Sequence, residues 1–359
     1  MIKDCLEKGW TGMGYRTEEF EAEWSKYTGS PHSHFLNSST SGLNLAVEIL
    51  GRKNMWSSAS EILTTPLTFI STNHAILHAG YIPVFADCDD SGCLTVETIE
   101  QSITSKTVCV MFVGLGGNFG ELPEIAKLCS DKGISLVVDA AHMAGSRSDS
   151  YHPCHYGDVT IYSFQAVKNL PTADSGALCT KDPEIDMLAR RLSWLGIDKD
   201  TYQRSREGRY KWDYNVSELG YKYHGNSVMA SMALAQLPTL DSDNCHRRKV
   251  ASWYKELIRN DAIKVVSHAN EASSSRHLFQ IETPEDSRED LMNYLSTMGI
   301  STGVHYKDNT LYSMYSGCTS HATSARSLWE RLVTLPCHVS LTMNDVERIS
   351  SALNSYRVS

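Results

Sequence analysis

The chain has 359 residues, 41% hydrophobic and 21% charged, with 23 Gly and 10 Pro, the composition of a globular protein long enough for one large domain and a smaller one. Its formal net charge of −9 argues against nucleic acid or an anionic membrane as the main partner, and no apolar run approaches the ~18 residues needed to span a bilayer. Ten cysteines lie between Cys5 and Cys337 without a C-x-x-C pair, and MIKDCLEKGW lacks the apolar stretch of a signal peptide, so a cytoplasmic protein with reduced thiols is expected.

From about residue 35 to residue 180, short apolar runs alternate with helical patterns. EILTT (61–65), YIPVFA (81–86), TVCVMFV (107–113), ISLVVDA (134–140), VTIYSF (159–164) and GALCT (176–180) read as strands. TNHAILHAG, TVETIEQSI and LPEIAKLCSDKG between them carry apolar residues at helical spacing and end on a Gly or polar stop. Continuous apolar strands separated by helices predict an α/β fold with a mainly parallel sheet covered on both faces. A helix over about 183–195 and a polar, aromatic stretch follow, then MASMALAQLPTL leading into the amphipathic HRRKVASWYKELIRN. EASSSR (271–276) reads as a surface loop. From about 265 the pattern is strand–helix–strand–helix, through HLFQIE, REDLMNYLSTMG, ISTGVHY, LVTLP and NDVERISSAL. The expected division is a large domain over 1–240 and a smaller α/β domain over 241–359, with the N-terminal segment packing on the small one.

Ligands of open α/β sheets gather at the carboxyl ends of the strands. Asp139 ends ISLVVDA, Ser163 ends VTIYSF, and Lys168 stands in the loop between two apolar runs. NSSTSG (37–42) precedes the helical LNLAVEIL and would offer backbone N–H groups and hydroxyls to a phosphate, or simply cap the helix. An amine for an aldehyde, a carboxylate for a pyridinium proton and an anion cradle are together what a protein contributes to pyridoxal phosphate (PLP). GLGGNFG (114–120) does not fit G-x-G-x-x-G and reads as a tight turn near the site; HPCH (152–155) lacks the spacing of a closed metal site.

Seven segments in one order make the chain resemble the DegT/StrS nucleotide-sugar aminotransferases, PLP enzymes of the aspartate-aminotransferase fold group. They are NSSTSGLNLAV, TTPLTFISTNHAILHAGYIPVFADCD, LVVDAAHMAG, YSFQAVKNL, GYKYHGNSVMASMALAQL, GISTGVHY and LVTLPCHVSLT. The resemblance implies the type I fold of PLP-dependent transferases, with a seven-stranded sheet in the large domain, and makes Lys168 the Schiff-base lysine. It implies that Asp139 pairs with the pyridine nitrogen, that His142 lies near the phenolic oxygen and that Phe69 stacks on the ring. Ser39, Thr40 and Ser163 would hold the phosphate, and His224 stands where such dimers reach the phosphate of the other subunit's site. His305 and Tyr306 fall where family members contact the sugar. Departures from the family pattern lie at Ser39, at Asp174–Ser175–Gly176 and in HGNSV (224–228).

The implied reaction transfers an amino group, with L-glutamate as donor, to a nucleotide-linked keto-hexose in a homodimer with shared sites. PLP passes through its pyridoxamine form. Two rivals remain: a sugar dehydratase, whose relatives replace the lysine with histidine, and a PLP-binding regulatory protein without turnover.

Overall fold

The computed structural model describes residues 1–198, 202 and 214–357. Its main sheet has seven strands: β1 (His32–Leu36), β2 (Glu61–Thr64), β3 (Ile82–Phe85), β4 (Thr107–Val113), β5 (Ser135–Asp139), β6 (Val159–Ser163) and β7 (Gly176–Thr180). They lie in the order β1-β7-β6-β5-β4-β2-β3. Strands β2 to β6 run parallel, and β7 is antiparallel to both β6 and β1. Side chains alternate across a strand, so TVCVMFV serves two cores at once: Val110 and Phe112 enter one apolar cluster, Cys109 and Met111 the other. That double burial is why the parallel strands are visible as unbroken apolar runs.

Nine helices accompany this sheet among the described residues: α1 (Ile2–Glu7), α2 (Tyr15–Thr28), α3 (Ser39–Lys53), α4 (Ile70–His78), α5 (Val96–Ser102), α6 (Leu122–Lys132), α7 (Pro183–Ser193), α8 (Ser227–Gln236) and α9 (Leu240–Leu257). Beyond them, β8 (Lys264–Val265), β9 (Phe279–Glu282) and β10 (Leu332–Leu335) form a three-stranded antiparallel sheet in the order β10-β9-β8. It is joined by α10 (Arg288–Thr297), α11 (Thr323–Arg331) and α12 (Met343–Ser355). Helix α9 spans both units: Leu240 belongs to the core of the large sheet, whereas Val250, Ala251 and Tyr254 belong to a C-terminal core with Phe279 and Val333. No helix among the described residues is long and apolar enough to cross a membrane.

Three expectations are corrected. The N-terminal helices pack on α8 and β1 and not on the smaller unit, because Phe20 and Trp24 of α2 enter the core of the large sheet, where they meet Phe35 and Phe164. ISTGVHY is not a strand: Gly303 makes a single bridge to Thr334 and the chain then turns into the site. EASSSR is not a surface loop, since Ser274, Ser275 and Arg276 are buried and the Ser275 hydroxyl donates to the His142 carbonyl at 2.6 Å. Strand β1, HSHFL, was hidden by its polar residues. His34 is satisfied inside by Glu21 at 3.1 Å and Ser193 at 2.7 Å.

Candidate active site

A cavity of about 470 Å³ opens at the carboxyl ends of β2, β4, β5 and β6. Lys168 enters it from the loop after β6. That loop is a laddered return: Phe164 N–H donates to Ser175 O at 2.9 Å, Ala166 N–H to Ala173 O at 3.0 Å, and Thr172 Oγ1 to Phe164 O at 2.7 Å. At its tip Lys168 N–H donates to Gln165 O at 2.8 Å. The lysine therefore stands on a braced turn. Burial pushes its amine down to about 8, against the opposing pull of the Asp139 carboxylate.

Asp139, the last residue of β5, is buried beneath the cavity. Its carboxylate accepts from Thr72 Oγ1 at 2.7 Å and from Ala141 N–H at 3.1 Å. Thr72 comes from α4, so a helix packed on the sheet holds one carboxylate oxygen. Burial still raises the pKa above its usual value, outweighing these bonds and the charge of Lys168. A buried carboxylate in that condition gains from a cationic or proton-donating partner.

Over the floor, His142 and Tyr306 form a pair. Burial, then Lys168, His277 and His305, keep His142 neutral, well below its ordinary pKa. Its Nδ1 accepts from Gly116 N–H at 3.2 Å, so the ring proton resides on Nε2 and is donated to the Tyr306 hydroxyl at 3.1 Å. Gly116 presents that N–H from a left-handed turn at φ 65°, the use of GLGGNFG here. Burial raises the Tyr306 pKa, which keeps the phenol protonated and its hydrogen available to a ligand. Phe69, which precedes α4 and is 55% exposed, faces Tyr306 with ring centroids 5.7 Å apart. His305 is fixed by Thr334 Oγ1 at 3.0 Å, and burial, then Lys168, lower its pKa.

At the other end lies the start of α3. Ser38 caps the helix by accepting Ser41 N–H at 3.1 Å, which leaves the amides of Ser39 and Thr40 in a first turn that has no intrahelical acceptor. Ser163 and Ser175 close this end. A Cβ built on Gly176 would lie 2.7 Å from Ser39 N, so glycine here lets β7 approach the helix start. The structure thus brings together Lys168, Asp139, His142, Phe69, Ser39, Thr40, Ser163, His305 and Tyr306. It does not bring in His224, whose ring lies against Trp194 with centroids 4.5 Å apart.

The family model of the DegT/DnrJ/EryC1/StrS aminotransferases matches residues 1–354. The chain belongs to this family. An uncharacterized protein of Methanocaldococcus jannaschii is 30% identical over 363 residues, covering 98% of this chain and 92% of that protein. Spr1654 of Streptococcus pneumoniae, solved in a PMP form, superposes with a TM-score of 0.91 at 27% identity, covering 99% of this chain and 94% of that one. Its PLP form gives 0.89. The sugar aminotransferase CalS13 of Micromonospora echinospora gives 0.88 at 25% identity, covering 99% and 95%.

For a DegT/DnrJ/EryC1/StrS aminotransferase the residues present fit PLP: an amine with a depressed pKa, a buried carboxylate and an open helix start share one cavity. Sequence reasoning missed Thr72 and Gln165 and noted Asp174 only where the lysine loop departs from the family pattern. Gln165 and Asp174 line the cavity from the lysine loop, and Thr72 supports Asp139. Nothing in the sequence marks Thr72 except its place one turn after Phe69.

Proposed function

We propose that the protein is a PLP-dependent sugar aminotransferase that moves an amino group from an amino acid, L-glutamate in this reading, to a nucleotide-linked keto-hexose. The observation that carries the reading is the placement of Lys168 and buried Asp139 in one cavity whose far end is the α3 N-terminus. When bound, PLP supplies an aldehyde for amine exchange and a pyridinium ring that takes up the electrons of a substrate carbanion.

Asp139 would keep a proton on the ring nitrogen, its two oxygens aimed by Thr72 and Ala141. Ser39 and Thr40 at the helix start, with Ser163, would hold the phosphate. Phe69 would pack against the ring, while neutral His142 orients the Tyr306 hydroxyl. Lys168, whose amine burial makes easier to deprotonate, would take the proton from the donor's α-carbon through its neutral Nζ and return one to the sugar carbon in the second half. His305 and Tyr306 border the side left for the sugar. A second copy of the chain would complete each site through His224.

The test is an absorbance spectrum of the purified protein with PLP, before and after L-glutamate. A visible band that converts to the near-ultraviolet pyridoxamine form is expected, and a keto acid should be released. Lys168→Ala should show neither the band nor turnover. Turnover close to wild type in that variant would end the assignment.

A further inference from the structure

One layer behind the cavity wall, His277 touches two parts of the machinery at once. Its Nδ1–H donates to Asn169 Oδ1 at 2.8 Å, and Asn169 is the residue after Lys168. The Asn169 amide group in turn donates to Asn244 Oδ1 at 2.6 Å and to Ser275 O at 2.8 Å. Asn244 Nδ2 donates to Ala144 O at 2.9 Å, closing a buried link between the lysine loop, α9, the turn after β5 and the segment before β9. The other face of His277 lies on His142, with ring centroids 4.3 Å apart. Its own amide donates to Gly116 O at 2.9 Å, in the turn whose Gly116 N–H fixes the His142 tautomer.

A buried acceptor such as Asn169 Oδ1 is costly to leave without a donor. A buried ring that serves only packing needs no donor at all. Here one side chain supplies both, and each contact ends at a residue of the cavity wall or at its immediate neighbour. We infer that His277 is a positioning residue, which through Asn169 holds Lys168 at its height in the cavity and through ring packing holds His142 aimed at Tyr306. The inference rests on the reading of Lys168 as the cofactor-bearing lysine.

Lys168 faces Asp139 from β5, His142 from the turn after it, His277 from ahead of β9, His305 and Tyr306 from the loop after Gly303, and Asp174 from its own loop. Burial, then Lys168, Arg247 and His305, hold His277 neutral, well below its ordinary pKa. Substituting His277 therefore removes no charge from this group. What changes is the height of the lysine, and a lysine released toward water regains a higher pKa.

Two variants separate the two contacts. His277→Phe keeps a ring against His142 and loses the donor; His277→Asn keeps an N–H at the Nδ1 position and loses the ring. The experiment is trace labelling of the full-length apoprotein with acetic anhydride over a pH series, with Lys168 followed by mass spectrometry. Wild-type labelling should reach half its maximum near pH 8. His277→Phe should raise that midpoint by about one pH unit, roughly tenfold less labelling at neutral pH, and His277→Asn should restore it. In the holoenzyme His277→Phe should lower kcat about tenfold with KM little changed, the split expected of lost positioning. Asn169→Ser, which withdraws the acceptor instead, should shift the midpoint in the same direction and serves if His277→Phe does not fold. A wild-type midpoint near 8 that neither His277→Phe nor Asn169→Ser moves, even where thermal stability falls, makes His277 structural only and overturns the inference while leaving Lys168 in its role. A wild-type midpoint at the ordinary lysine value overturns both.

Discussion

At the scale of single residues, the proposed chemistry depends on a buried carboxylate, Asp139, and a half-buried amine, Lys168, whose pKa values have been drawn toward each other. A lysine amine at about 8 is neutral in roughly a tenth of molecules at pH 7, whereas an ordinary lysine is neutral in about one in 2,500. Capture of PLP by the apoprotein should therefore speed up about tenfold from pH 6 to 7 and level off above about 8, as stopped-flow absorbance would show. Asp139 attracts the lysine's charge, so Asp139→Asn should move that midpoint to lower pH. The same variant should lower turnover by about 10²–10³-fold, because the ring nitrogen loses its counter-charge. Its stability should move the other way. The folded pKa of Asp139 lies above the unfolded value, so the stability from its protonated form is complete below about pH 4 and is lost as pH rises through the folded pKa. Asn fits, because the Thr72 hydroxyl can turn to accept from the new amide. Asp139→Asn should then melt higher than wild type at pH 7 as apoprotein, with the gap closing toward pH 4 in calorimetry. Lys168, Asp139 and Ser163 were legible in the sequence because each ends or follows an apolar strand. Thr72 and His277 were not, since their roles depend on contacts with residues 67 and 108 positions away.

At the scale of elements, the site depends on how closely β7 can approach the turn between β1 and α3. A Cβ on Gly176 would sit 2.7 Å from Ser39 N and 2.7 Å from Tyr162 O, both backbone atoms that cannot rotate aside. Gly176→Ala must spread the two elements, at a cost of about 1–3 kcal/mol by overpacking. It should also pull the Ser39 and Thr40 amides out of register with the phosphate, so PLP affinity should fall at least about tenfold. Fluorescence titration with PLP, together with a melting curve, would check both; unchanged affinity would show that the α3 start does not hold the phosphate. The elements themselves were unequally legible. Strands β2 to β7 announce themselves because apolar side chains fill both faces of the sheet. The segments 32–36 and 271–276 did not, because their buried polar groups are satisfied by partners far along the chain. Ser274 Oγ bonds Gly117 O at 3.1 Å, and Arg190 Nη2 bonds Ser33 O at 2.9 Å. Composition alone makes such segments look like surface.

At the scale of the whole molecule, apolar surface remains open at the site: Val167 is 66% exposed and Phe69 55%, and both line the cavity. Val167 precedes Lys168, so this surface and the cavity mouth meet. His224 is tied into the same region without reaching its own cavity. Its N–H donates to Ser193 O at 3.2 Å, and it bridges Leu36 just before the helix start that would hold the phosphate. A residue placed beside one cradle but facing away from its own cavity is suited to a site built by two chains related by a two-fold axis, where each chain lends what the other lacks. Lys168→Ala and His224→Ala should each have low activity alone. Dissociated, mixed in equal amounts and allowed to re-associate, half of the dimers should contain one chain of each kind. Each such dimer has one site with both substitutions and one with neither, so about a quarter of all sites should recover wild-type activity. Light scattering establishes the dimer, and kcat per total site measures the recovery. Activity per site that stays at the mean of the two separate variants would mean that His224 acts within its own chain or not at all, and that each site is complete in a single copy.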